Sequence, residues 1–398
     1  MSFKSLFPYF NHNKNVVYLD SAATTQKPES VINAVNSYYK NHNANAHRGN
    51  YQSANDITKK YESVRQQVAD FINANSAKDI VWTKGTTESI NLVAQAWGLA
   101  NLKAGDNIIV LGSEHHANFV PWQQLAKKMS LNFNVVNILE NGMPDMEHYK
   151  QLLKLRPKLV AIQHCSNALG NIIPIKQMID LAKHYEAVTL IDGAQAVAHL
   201  EVDVKFLDCD MYVFSAHKMY APMGLGVLYI HKRIKSQFQP YQYGGEMIQH
   251  VSIKESSFRP IPAMLETGTQ NISAIIGLGH AIHFLQHEEY QLAKQQKLSM
   301  FQYLISQLQN IESVKFFGDQ KDNIGVVSFI VEGESITDIS TLLDQQGIAI
   351  RSGHHCAMPL MTALNIEGTH RVSLGIYNDK QDIDKFISAL IRAIELLN

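Results

Sequence analysis

Cysteine is scarce in this chain: Cys165, Cys209 and Cys356 are the three in 398 residues. Three is too few, and odd, for a disulfide framework, and it fits a reducing compartment in which a lone thiol stays available for chemistry. An excess of charge is missing too. Lysine and arginine number 35 against 36 aspartates and glutamates, a net of −1 with no basic block. Nothing here forms an electrostatic footprint for nucleic acid or an anionic membrane. No apolar run approaches the ~20 residues needed to span a bilayer. The first fifteen residues hold neither a continuous apolar stretch nor a small-residue cleavage site, so no secretory signal is expected. The expectation is a cytoplasmic protein without membrane or nucleic-acid partners.

What is present is globular material, 45% apolar and 18% charged. The length exceeds what one core usually organises, which predicts a large and a small domain. Short apolar runs at 16–19, 80–83, 108–111, 134–138, 159–163, 188–191, 211–214 and 226–230 alternate with helical patterns. One such pattern covers 56–72, where Ile57, Tyr61, Val64, Val68 and Phe71 recur at helical spacing. Several runs are almost wholly apolar, as strands covered on both faces should be. The fold class predicted is α/β, a mostly parallel sheet flanked by helices. After about residue 286 a long helix (292–309) leads into strands at 326–331 and 348–351. An amphipathic helix carrying Ile383, Phe386, Leu390 and Ile394 closes the chain. The expected division is an N-terminal segment 1–15, a large domain 16–286 and a smaller α+β domain 287–398.

Open α/β sheets place their active sites at the carboxyl ends of the strands. Strand 80–83 runs into Lys84-Gly85-Thr86-Thr87-Glu88, a glycine turn with two hydroxyls at a helix start. Such a turn suits a phosphate, and equally a plain N-cap. Strand 108–111 ends in Glu114-His115-His116-Ala117-Asn118. Adjacent histidines rarely converge on one metal, whereas a flat imidazole can stack on an aromatic ring. Strand 188–191 delivers Asp192, with Gln195 shortly after, and strand 211–214 delivers Ser215-Ala216-His217-Lys218. A lysine directly after an apolar strand sits where burial would depress its pKa and favour a Schiff base. A carboxylate for a pyridinium, a lysine for an imine and hydroxyls for a phosphate are together what pyridoxal phosphate requires of its protein.

The last cluster is Arg351-Ser352-Gly353-His354-His355-Cys356-Ala357. A cysteine in a glycine-containing loop beside an arginine and two histidines is a candidate reactive thiol, whereas Cys209, within an apolar stretch, reads as inert. A Cys/His metal site is the rival, but no spaced second ligand pair accompanies it. Arg371, on a short strand, could clamp a substrate carboxylate or form a surface ion pair. At Gln163-His164-Cys165-Ser166-Asn167, Asn167 is the expected functional member.

With these strings assembled, the chain resembles the group II cysteine desulfurases, SufS-like and CsdA-like, of the class V aminotransferase family. The resemblance runs from Tyr18-Leu19-Asp20-Ser21-Ala22-Ala23 to the last helix, with Ala221 and Gln270 standing where the family usually has glycine and proline. It implies the fold type I architecture of pyridoxal-phosphate enzymes. Lys218 would hold the cofactor, Asp192 its ring nitrogen and Gln195 its ring hydroxyl, with His115 stacked on the ring. Thr86, Thr87, Ser215 and His217 would bind the phosphate, and Thr269 would reach it from the other subunit of a homodimer. Arg371, Asn167 and Arg351 would position the substrate. The implied reaction converts L-cysteine to L-alanine and leaves the sulfur as a persulfide on Cys356. A small SufE-like acceptor protein would carry it towards iron–sulfur cluster assembly, and L-selenocysteine is an implied further substrate. A pyridoxal-phosphate aminotransferase or lyase acting on another amino acid is the alternative.

Overall fold

The computed structural model describes residues 3–47 and 49–398. Among them, seven strands form the central sheet: β2 (Ile80–Thr83), β3 (Asn107–Leu111), β4 (Asn132–Val136), β5 (Leu159–Gln163), β6 (Val188–Asp192), β7 (Met211–Ser215) and β8 (Gly226–Ile230). A shorter strand, β1 (Val17–Tyr18), precedes them. The sheet order is β2-β8-β7-β6-β5-β3-β4. β4, β3, β5, β6 and β7 run parallel, while β8 is antiparallel to both β7 and β2. The five central runs are apolar because helices cover both faces, and one apolar cluster lies on each side of the sheet.

Beyond these come a hairpin, β9 (Ile248–Val251) and β10 (Ser256–Phe258), and then the helices Ile272–Gln286 and Glu288–Leu308. The C-terminal part holds β11 (Val314–Phe317), β12 (Val326–Val331), β13 (Ile348–Ala349), β14 (Arg351–Gly353) and β15 (Thr369–Ser373). Four of these form an antiparallel sheet, β11-β12-β15-β14, on which the helix Lys380–Leu397 packs.

Three readings from sequence are corrected here. The strand expected at 16–19 does not join the main sheet: Val17 and Tyr18 pair with Ile348 and Ala349, and Val17 and Leu19 sit in the C-terminal core. The strand expected at 348–351 is two strands, since β13 pairs with β1 whereas β14 turns onto β15. β4 lies two residues earlier than 134–138, because its polar start, Asn132, occupies the exposed edge of the sheet.

Candidate active site

The strand ends do converge. Thr86, Thr87, His115, Asn167, Asp192, Gln195, Ser215, His217, Lys218, Arg351, Cys356 and Arg371 all line one cavity of about 250 Å³. Thr269 does not. It is exposed and borders a separate depression with His47, Arg259 and Gln270.

At one end of the cavity is the hydroxyl turn. Ser215, closing β7, accepts from the Thr86 backbone N–H at 2.8 Å, and its hydroxyl lies 2.8 Å from that of Thr86. A Cβ on Gly226 would come 2.5 Å from the Cα of Gly85, so only glycine lets β8 run so close beneath this turn. Thr86 opens the helix Thr86–Val93, leaving first-turn N–H groups for an anion. His217 is fixed by Thr24, its Nδ1 lying 3.2 Å from the threonine hydroxyl.

Asp192, at the end of β6, is buried, and its Oδ1 accepts from the Ala194 N–H at 2.9 Å. Burial raises its pKa, while that N–H and Lys218 act against the rise. Gln195 is anchored by donating to the Ala22 carbonyl at 2.8 Å. Desolvation lowers the Lys218 amine to about 8, helped by Arg371 and Arg351 and opposed by Asp192 and Cys356. His115 is pushed down to about 3 by burial and by Lys218, so it is a neutral imidazole. Its Nδ1 accepts from the Ala117 N–H at 3.0 Å.

The C-terminal loop lines the same cavity. Cys356 is partly exposed, and its Sγ lies 3.9 Å from Nη2 of Arg351. Arg371 is 2% exposed and far from being a surface ion pair. It donates from Nη2 to Asp20 at 2.6 Å and from Nη1 to the Asn167 carbonyl at 3.0 Å, and its Nε has no partner among the described residues.

This donor set fits pyridoxal phosphate. An amine of lowered pKa faces a buried carboxylate, and two hydroxyls meet at a helix start. Among the described residues, no three His, Cys, Asp or Glu side chains are placed to hold a metal ion.

The class-V aminotransferase model matches residues 17–386. The chain belongs to that family. Proteins named cysteine desulfurase are among those similar to the chain. A probable cysteine desulfurase of Vibrio cholerae is 42% identical over 96% of this chain and 94% of its own. The apo structure of a cysteine desulfurase from Thermococcus onnurineus superposes with a TM-score of 0.94 at 36% identity, covering 98% of this chain and 97% of that one. The cysteine desulfurase CsdA of Escherichia coli, in its S-sulfonic acid form, superposes with a TM-score of 0.92 at 37% identity, over 99% and 98%.

Some residues of the quoted strings have partners in the site that the sequence does not reveal. Glu114 is fully buried, accepting from the Gln163 N–H at 2.8 Å and from Asn118 Nδ2 at 2.7 Å, and burial raises its pKa well above the carboxylate range. It ties the His115 turn to the end of β5. Asp20 and His355 also belong to this neighbourhood, through Arg371 and Asn167. No spacing rule links residues so far apart in the chain; only the β15 register brings Arg371 beside Arg351.

Proposed function

We propose that this protein is a group II cysteine desulfurase, which takes the sulfur from L-cysteine onto Cys356 and releases L-alanine. The observation that carries the reading is that Cys356 and the Lys218–Asp192 pair line the same small cavity. An aminotransferase would need only the second of these.

Lys218 would hold pyridoxal phosphate covalently, Asp192 its ring nitrogen, Gln195 its ring hydroxyl and His115 its face. Thr86, Thr87, Ser215 and His217 would hold its phosphate. Once bound, the cofactor supplies a carbonyl for the substrate amine and a sink for electrons from the Cα–H bond. The chain's own groups do the rest. Arg371, Asn167 and Arg351 orient the substrate carboxylate. Lys218, partly uncharged near neutral pH because its pKa is lowered to about 8, takes the α-proton at Nζ. The Cys356 thiolate attacks the substrate sulfur, and the carbon–sulfur bond breaks with its electron pair passing to the substrate carbon, which takes up a proton to become the methyl group. Cα regains its proton to give L-alanine, and the sulfur stays as a persulfide.

A persulfide must be unloaded, so a small SufE-like sulfur acceptor is the proposed partner, feeding iron–sulfur assembly in the cytoplasm. L-selenocysteine fits the same chemistry as a further substrate. The proposed assembly is a homodimer in which Thr269 reaches the phosphate of the partner's site, and the proposed division is into domains 16–286 and 287–398 after a segment 1–15. Purified protein with L-cysteine, a reductant and no keto acid is expected to release alanine over many turnovers. Cys356→Ala is expected to keep its cofactor and lose that release by a factor of 100 or more. Undiminished turnover in Cys356→Ala would remove the desulfurase assignment. A wild type that is yellow and releases no alanine would point to an aminotransferase or lyase on another amino acid.

A further inference from the structure

Cys356 sits in an unfavourable piece of backbone. Its φ is 56°, that of His355 before it is 52°, and Gly353 stands at 110°. Two successive non-glycine residues in the left-handed region are strained and persist only where surrounding contacts over-determine them. The large domain supplies those contacts one residue at a time. Asn167 Nδ2 donates to the His355 carbonyl at 2.7 Å. The backbone N–H of His116 donates to the Cys356 carbonyl at 2.7 Å. The Met358 N–H donates to Nε2 of the His116 imidazole at 3.1 Å. From its own side, the His355 ring is held at Thr369, with Nε2 3.0 Å from the carbonyl and 2.9 Å from the hydroxyl.

His116 therefore grips the loop twice, at the nucleophile and two residues beyond it. It opens the helix His116–Met129, next to His115, which lines the cavity. Accepting at Nε2 requires a neutral ring protonated at Nδ1. Burial and the neighbouring His354 lower its pKa and favour that neutral form.

We infer that His116 is a positioning residue for the sulfur-receiving thiol: its imidazole locks the left-handed Cys356 loop against the helix that carries His115. The inference rests on the desulfurase reading for its consequence, but the lock itself does not. A nucleophile displaced by about 1 Å from a near-attack position loses on the order of 100-fold in rate. The side-chain grip is part of what keeps Cys356 from relaxing out of the cavity.

The length of the side chain provides the test. Glutamine places an acceptor oxygen where Nε2 stands, whereas asparagine stops one atom short. In the holoenzyme, His116→Asn is expected to lower the single-turnover rate of alanine formation tenfold or more. Its KM for L-cysteine and its cofactor content should be unchanged, and His116→Gln should recover most of the rate. Iodoacetamide labelling of Cys356, followed by mass spectrometry, should run severalfold faster in His116→Asn than in wild type. Equal labelling in wild type and His116→Asn overturns the lock. So does a His116→Gln variant as impaired as His116→Asn, or a loss of cofactor in both. If the wild type released no alanine, the labelling comparison alone would still decide whether the lock exists.

Discussion

Lys218 and Asp192 stand at the ends of neighbouring strands, and each environment works against the charge it would carry in water. Burial lowers the lysine to about 8 and raises the aspartate, and each partly offsets the shift of the other. For the lysine the sign is definite. Below about pH 8 the free amine is mostly an ammonium and cannot add to an aldehyde; above it, the amine is mostly a nucleophile. Cofactor-free protein is therefore expected to take up pyridoxal phosphate at a rate that rises about tenfold per pH unit up to roughly pH 7.5 and levels off above pH 8. Absorbance of the bound cofactor in a stopped-flow mixing series reads this. A plateau beginning only near pH 10 would mean an amine with the ordinary pKa of lysine. His115, held near 3, stays neutral across that range and adds no inflection of its own.

Between elements, one buried ion pair fastens the sheet to the segment that carries Thr269. Arg65, on the helix Gln52–Phe71, donates to both oxygens of Glu266, at 2.6 and 3.0 Å. The same carboxylate accepts from the Trp82 N–H of β2 at 2.7 Å, and the guanidinium lies 5.2 Å from the centroids of both the Tyr61 and Trp82 rings. Removing one partner of such a pair strands a buried charge, at a cost of about 3–5 kcal/mol. Glu62, 3.1 Å from Nε of Arg65, softens that cost. Glu266→Ala is expected to lose about 3 kcal/mol in urea unfolding of the cofactor-free protein, and a change below 1 kcal/mol would show the network to be dispensable.

How far these elements were legible in the sequence follows from what surrounds them. β2, β5, β8 and β12 read with their true ends because they are almost wholly buried, leaving mostly apolar runs between turn residues. Asp192 and Lys218 follow β6 and β7, which read to within one residue of their true ends, and it is their conjunction with the hydroxyl turn after β2 that reads as a site. Pairing partners did not read. Nothing within residues 16–19 indicates that β1 must find β13 some 330 positions later. The Arg65–Glu266 pair and the His116 grip are closed by tertiary contact alone, and a histidine beside a cavity histidine carries no mark of its separate task. Arg371 was ambiguous between ion pair and substrate clamp. Its burial excludes the surface version of the first reading, and its bond to Asp20 shows what a substrate carboxylate would compete with.

At the scale of the whole molecule, Thr269 faces outward from its own chain. Within its own chain it is exposed, in a depression of about 580 Å³ also lined by His47, Glu246 and Arg259, and it is absent from the cavity where Thr86, Thr87 and Ser215 meet. If a second copy covers that depression, each phosphate site draws Thr269 from its partner. A hydrogen bond to a charged phosphate contributes about 1.5–3 kcal/mol, so Thr269→Ala should weaken cofactor affinity on the order of 10- to 100-fold. Mixed dimers separate the two geometries. In a heterodimer of a Lys218→Ala chain and a Thr269→Ala chain, donation across the interface gathers both defects into one site. The other site then has an intact Lys218 from one chain and an intact Thr269 from its partner. Such a heterodimer, isolated through two different tags, is expected to show about half the wild-type alanine release per dimer, with wild-type cofactor affinity. Donation within one chain would leave its remaining lysine-bearing site with the weakened affinity of Thr269→Ala. That result would assign Thr269 to its own chain's site and end the cross-subunit reading, whereas a protein that sediments as a monomer, or wild-type cofactor affinity in Thr269→Ala, would place Thr269 outside the catalytic assembly.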